Sequence, residues 1–296
     1  MDVLVVGGCS YNAMIYLEEF PQETETHRAK NFQETVGSTG AGKTMNLDRL
    51  GMNVTFHAMI GQDRYGEVIK ETFATEPATF LYDIDPNGTE RHINLMNSDG
   101  ERISIFVVEA TPEPDIDYSR LTDLVKATEV LLINPVDYTR PLLSVAERYN
   151  IPIWCDIHAY DGEDPHYEAF IEAADYLFMS EEGINDASGF MHEQIDAGTD
   201  LVICTQGADG SVALMSDGTW IEMPAEPFEM VDANGAGDAY VSGFLYGQTQ
   251  DKDVETCMRL GTLAGGLAVG SYKLVHPDLS VDRLTAEYER HYNSKL

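Results

Sequence analysis

The stretch "VDANGAGDAYVSGF", residues 231–244, decides how the rest of the chain is read. Gly235, Ala236 and Gly237 are small, and the residues after them keep helical spacing: Ala236, Ala239, Tyr240, Gly243, Phe244 and Gly247 share one face. A glycine turn opening into a helix presents backbone N–H groups and the positive end of the helix dipole to whatever lies in front of it. Such a turn is an anion site, suited to a phosphoryl group in transit, with the Gly235–Gly237 segment as its cradle. Asp238 falls in the first turn, where a carboxylate is electrostatically favoured and where it can take a proton from a nucleophile attacking that phosphate. The plainer alternative is a helix start in which Asp238 only stabilises the dipole.

Upstream of this stretch, short apolar runs alternate with helical patterns. "DVLVVGG" opens the series, followed by "VTFHAMIG", "VLLIN", "IPIWCDIH", "YLFMS", "LVICTQG" and "SVALM" as strands. Helix candidates fall at 41–50, 65–75, 119–128, 139–149 and 165–174, and the chain turns mainly helical from Gly235 onward. This order predicts an α/β fold, a mostly parallel central sheet between two helical layers. Two segments break the rhythm: 13–36, and 89–108 with two extended runs around Asn-Ser-Asp-Gly, a hairpin signal. Both read as strands outside the main sheet, a small β lid on one domain spanning 1–296.

A second glycine segment, "GSTGAGKT" at 37–44, fits the P-loop pattern G-x-x-x-x-G-K-[ST]. A P-loop needs an apolar strand feeding its glycines, and "NFQETV" before Gly37 is polar. The match is therefore read as accidental.

With these residues in view, the 232–238 segment resembles the D-T-x-G-A-G-D signature of the ribokinase-like (PfkB) carbohydrate and nucleoside kinases, with Ala233 in place of the Thr. The form Asp-x-Asn-Gly-Ala-Gly-Asp is especially similar to adenosine kinases. "GSTGAGKTMNLDRLG" followed by "VTFHAMIGQDRYG" resembles that family's substrate-binding glycine segment and the strand after it. "LVICTQGADGSVAL" resembles its nucleotide segment, and "VVGGCSYNAMIYLEEFP" its first strand and entry to the lid. The resemblance covers nearly the whole chain. It implies a three-layer ribokinase-like fold and an ATP-dependent kinase acting on a hydroxyl of a small sugar or sugar acid. Asp238 would be the base and Gly235–Gly237 the anion hole; Asn12, Gly37, Ser38, Gly42 and Lys43 would line the substrate, and Thr205, Gly207, Gly210 and Ser180 the nucleotide. A nucleoside kinase of the same family is the alternative, and a non-catalytic ligand-binding relative the third reading.

Departures from the family pattern bear on substrate and metal. Ser38 replaces a Gly, and Gly42 replaces an Asn that contacts sugar hydroxyls in the family. Lys43 follows, either as a surface lysine or as a partner for an acidic or phosphorylated substrate. In "FMSEEG", Ser180 takes the Asn position and Gly183 the Glu position of the family's N-x-x-E segment, which leaves Glu181 or Glu182 to act towards Mg2+. Asp232 is the candidate for a K+ site. Cys155, Asp156 and His158 read as strand-end residues near the substrate cleft, ahead of a metal site.

Composition sets the remaining bounds. With 51 Asp+Glu against 18 Lys+Arg the formal net charge is −33, spread along the chain, so nucleic acid and anionic membrane surfaces are repelled. Only 7 of the basic residues are lysines, and this pattern resembles cytosolic proteins of salt-in halophiles. Four scattered cysteines point to buried thiols in a reducing cytoplasm. The lid hairpin's edges suggest a homodimer.

Overall fold

The computed structural model describes residues 1–24, 26–98 and 100–296. β1 (Asp2–Val6) sits inside a nine-stranded sheet and shows why its sequence is apolar after the exposed Asp2. Val3 and Val5 pack into the core on one side of the sheet, Leu4 and Val6 into the core on the other. A strand buried on both faces has no solvent side to mark with polar residues.

The remaining strands of this sheet are β4 (Asn53–Gly61), β5 (Thr79–Asp85), β8 (Val130–Ile133), β9 (Ile153–Asp156), β10 (Tyr176–Ser180), β11 (Leu201–Thr205), β12 (Ser211–Met215) and β13 (Trp220–Met223). Their order is β13-β12-β11-β10-β9-β8-β1-β4-β5. All neighbours pair in parallel except β11–β12 and β12–β13, so the sheet is mostly parallel, as the sequence predicts. β5 and β13 are additions to the predicted set. β5 lies at an edge, and its half-exposed "TFLYDID" lacks the buried apolar run that betrays the central strands.

Nine α-helices occur among the described residues: α1 (Thr39–Arg49), α2 (Arg64–Phe73), α3 (Tyr118–Ala127), α4 (Pro141–Tyr149), α5 (Glu168–Ala173), α6 (Ala187–Ala197), α7 (Ala236–Thr249), α8 (Val254–Val269) and α9 (Val281–Tyr292). Side chains of α1, α2, α7 and α8 join the core on the Val3/Val5 face; those of α3 to α6 join it on the Leu4/Val6 face. α7 is buried almost all round, because α8 packs against it at glycine spacing: a Cβ at Gly243 would lie 2.6 Å from the Leu260 carbonyl. That close seat fixes the helix carrying Asp238.

A second, four-stranded sheet has the order β3-β2-β6-β7, built from β2 (Ser10–Tyr16), β3 (Asn31–Gly37), β6 (Arg91–Met96) and β7 (Arg102–Val108). Its strands fall in the two segments that break the α/β rhythm. β6 and β7 form the predicted antiparallel hairpin; Asp99 of its turn lies outside the described residues. Two carboxylates pin the ends of this insertion to the main sheet. Asp63 caps α2 through the amides of Tyr65 and Gly66 and also accepts from the amide and hydroxyl of Thr89, just ahead of β6. Asp85, at the end of β5, accepts from the amide and hydroxyl of Thr111, just after β7.

The two faces of the small sheet differ. Tyr16, Gln33 and Arg102 lie on one face by pairing register, and that face docks on the main body. There Tyr16 donates to Asp232 at 2.7 Å, Gln33 to the Tyr272 carbonyl at 2.7 Å and Arg102 to the Asn234 side chain at 2.7 Å. The opposite face carries Phe32, Ile103 and Ile105, 57%, 42% and 47% exposed.

Candidate active site

Strands β1, β8 and β9 are neighbours, and their carboxyl ends bring Gly7–Gly8, Asn134 and Asp156 side by side. The chain leaves β1 towards β4 and β5 and later returns to β8 on the other side, so this is the point where strand order reverses. Ligands of open α/β sheets settle in the crevice at that point. Here several polar atoms are buried without a partner among the described residues: Ser10 Oγ, Asn12 Oδ1, and both side-chain ends of Asn134. Leaving such atoms unpaired costs about 1–3 kcal/mol each, so their gathering at one crevice calls for hydrogen-bonding groups from outside the chain. Asn12 Nδ2 and Ser10 Oγ both approach Gly37, at 2.3 and 3.5 Å from where its Cβ would stand. Ser38 lies across from Gly8, its hydroxyl 2.3 Å from where a Cβ at Gly8 would stand. Its φ of 71° and ψ of 158° fall in a region that normally admits only glycine, so this departure from the family pattern holds strain at the site.

The turn before α7 has the geometry the sequence predicts, with one difference. Gly235 takes φ 83°, the left-handed conformation that favours glycine, and a Cβ there would stand 3.0 Å from the Leu274 carbonyl. The Ala236 amide turns back to the Ala233 carbonyl at 3.3 Å. No described residue accepts from the amides of Gly235, Gly237 and Asp238. The space in front of Gly237 is open, with nothing within 4 Å of an added Cβ. The donors offered to an anion are thus Gly235, Gly237 and Asp238, with Ala236 excluded because its hydrogen is spent inside the turn.

Lys43 neither faces solvent nor waits for a substrate. It is fully buried on α1, with Nζ 2.6 Å from Asp238 Oδ1 and 2.8 Å from Asp156 Oδ2. Burial alone would strip its proton, but the two carboxylates more than reverse this and raise its pKa. Burial also opposes the charge on Asp156, yet His158 and Lys43 outweigh it and hold that carboxyl well below the usual range. For Asp238 burial wins: its pKa rises above the ordinary carboxylate value, with Lys43 pulling the other way and Asp156 adding to the rise. His158, beside Asp156 at 3.4 Å, takes a left-handed φ of 54° at the end of β9. The P-loop match therefore fails on geometry, since β3 belongs to the small sheet and the lysine is spent on carboxylates.

Thr205 ends β11 beside Ser180 of β10, and the Glu181 amide donates to the Thr205 carbonyl. Gly207 and Gly210 both take positive φ in the turn that follows. Ser211 meets the Tyr240 hydroxyl of α7 at 2.8 Å, which places this turn alongside the helix of Asp238. A cavity of about 400 Å³ lies beyond the turn, between α6 and β13, and none of its lining residues comes from 232–238. The buried charges and the amides without a described acceptor gather at the crevice, away from this cavity.

The three residues considered for cations do not gather. Glu181 accepts from the Gln206 side chain at 3.0 Å, Glu182 is exposed, and Asp232 is held elsewhere. Both Asp232 oxygens are engaged, one by Tyr16 and the other by the Asn234 amide at 2.9 Å, so the carboxylate braces the turn against the small sheet. No cluster of three or more His, Cys, Asp or Glu suited to a metal occurs among the described residues.

Comparison with known proteins bears on the family and the fold. The family model of the pfkB family carbohydrate kinases matches residues 1–280. Acarbose 7(IV)-phosphotransferase of an Actinoplanes species is 30% identical over 277 residues, covering 90% of this chain and 91% of that protein. Among solved structures, a microbiome-derived acarbose kinase superposes with a TM-score of 0.87 at 24% identity, over 96% of this chain and 97% of that one. Ribokinase of Arabidopsis thaliana, complexed with ribose and ATP, gives 0.79 at 21% identity over 95% and 97%. The chain belongs to the pfkB family of carbohydrate kinases and is a ribokinase-like enzyme that transfers a phosphoryl group from ATP to an alcohol.

Proposed function

We propose that the acceptor is a neutral carbohydrate, bound in the crevice at the ends of β1, β8 and β9, with Asp238 as general base. One observation carries this reading: a buried carboxylate in the first turn of α7 adjoins a set of amides that no described residue accepts from. The acceptor hydroxyl gives its proton to Asp238 while its oxygen bonds to the terminal phosphorus of ATP. The bond from that phosphorus to ADP breaks, and the amides of Gly235, Gly237 and Asp238 stabilise the charge on the moving group. ATP lies along Thr205, Gly207 and Gly210 beside Ser180.

Neutral substrates are favoured over sugar acids because the one cation the glycine segment offers is already held by two carboxylates. With both ionised, the trio carries a net negative charge that repels an acidic ligand. Ser10, Asn12 and Asn134 are suited to the hydroxyls of a polyol. The acarbose phosphotransferase among the relatives supports the same class. A nucleoside is the second reading, favoured by the His92–Phe106 ring pair, 4.1 Å between centroids, on the docking face of the small sheet. ADP release across neutral sugars, sugar acids and nucleosides separates these: turnover with neutral sugars is expected, and a preference for acids would sink the reading.

Magnesium, when bound, neutralises charge on the phosphates of ATP and is held mostly by them. Glu182, exposed at the end of β10, and Glu181 beside it are the carboxylates suited to add to its shell. Asp232 is committed to Tyr16 and Asn234.

The whole chain acts as one kinase unit with the small sheet as its lid, held closed through Tyr16, Gln33 and Arg102. The lid's outer face supports pairing with a second copy of this chain. In a protein of net charge −33, the exposed apolar side chains Phe32, Ile103 and Ile105 are where two copies meet with least repulsion. Light scattering should report a dimer that Ile103→Glu with Ile105→Glu converts to monomer; a monomeric wild type would refute it. Four buried free cysteines fit a reducing cytoplasm, and no helix among the described residues is long and apolar enough to cross a membrane. The dispersed acid suits a high-salt interior. The unfolding temperature should rise from dilute to molar KCl as the surface charge is screened, and a flat response would refute this.

A further inference from the structure

Gly42, a departure from the family pattern, stands next to Lys43 on α1, and the structure joins them. A Cβ at Gly42 would come within 2.4 Å of Asp238 Oδ2 and 3.0 Å of its Cγ. Any side chain at position 42 would therefore push the carboxylate off the helix. With glycine there, Asp238 lies flat on α1 and its other oxygen reaches Lys43 at 2.6 Å. Asp156 holds the far side of the same ammonium at 2.8 Å. Gly42 admits the base and Lys43 grips it.

We propose that Lys43 is a positioning residue for phosphoryl transfer: it fixes Oδ1 of Asp238, leaves Oδ2 to take the substrate proton, and keeps the carboxylate charged inside a dry site, with Asp156 as its anchor. The proposal rests on Asp238 being the base. Without a cation, Asp156 and Asp238 would be two buried carboxylates competing for one proton, and the base would be blocked at neutral pH. The charged and titratable groups facing Asp238 are Lys43 from α1 and Asp156 and His158 from the end of β9. The buried Cys155 thiol beside Asp156 stays protonated.

The two partners of Lys43 predict opposite shifts. In Lys43→Met the acid limb of the kcat/KM profile should move up by about 1–3 pH units, the usual effect of one opposite charge, so that activity lost at neutral pH returns in part in alkali. Asp156→Asn removes a like charge and gives Asp238 the undivided ammonium, so the acid limb should move down. Lys43→Arg keeps the charge and should hold the limb near the wild-type position. If Lys43→Met does not fold, the downward shift in Asp156→Asn carries the test alone. Acid limbs unmoved in every folded variant, with only the melting temperature lowered, would make Lys43 a structural ion pair and overturn the proposal. Failure of the underlying reading looks different: Asp238→Asn would then keep its turnover, whatever Lys43 does.

Discussion

Asp238→Asn should lower kcat by about 10²–10⁴-fold while the protein stays folded and binds both substrates. The substitution keeps the shape of the side chain but removes its charge, and with it both the capacity to take a proton and the ion pair with Lys43. Lys43 keeps its ion pair with Asp156 at 2.8 Å, so the buried ammonium is not left alone, and the fold should survive. KM should change little, because the lost interaction is made only as the hydroxyl gives up its proton. Steady-state kinetics beside a melting curve check this. A kcat within about tenfold of wild type would remove Asp238 from the base role.

The second large effect concerns the anion cradle, and it separates stability from activity. Gly237→Ala adds a methyl group to the first turn of α7, where no described residue beyond its own turn lies within 4 Å of it. Alanine is favoured over glycine in a helix by about 0.5–1 kcal/mol, so the variant should melt at or slightly above the wild-type temperature. If the proposed cradle holds the phosphoryl group, the methyl stands in the open space in front of it and crowds one of its three amides. Loss of one such donor costs about 10²–10³-fold in kcat. A stable, nearly inactive Gly237→Ala supports the cradle; a stable and fully active one means the phosphoryl group travels elsewhere. Gly235→Ala is a poorer test, since its left-handed φ and the nearby Leu274 carbonyl would damage the fold first.

What the sequence makes legible follows from how local each signal is. The turn and helix around Asp238 are written in consecutive residues, because small size, helix start and carboxylate all act within one turn. β1 is equally plain, a continuous apolar run with no polar face. β13 is harder to see: four residues at the sheet edge, alternating exposed and buried, with only Met223 fully covered. Lys43 shows the deeper limit. Its partner Asp238 lies 195 positions away, and nothing in "GAGKT" tells a surface lysine from one enclosed by two carboxylates. The Gly42 departure was a clue, since a missing side chain next to a lysine leaves room for something to approach. Asn134 and Ser10 gave no signal at all; only the meeting of β1 with its neighbours makes them a set. Asp232 was misleading in the other direction, because its tie to Tyr16 spans 216 positions.

The account rests most directly on ATP turnover that depends on a neutral carbohydrate, measured as ADP release in molar KCl with magnesium. It predicts turnover with one or more neutral sugars, little with sugar acids, and collapse of that turnover in Asp238→Asn. ATP hydrolysis indifferent to any carbohydrate, surviving Asp238→Asn and abolished by Lys43→Ala, would contradict it and return "GSTGAGKT" to the role its pattern first suggests.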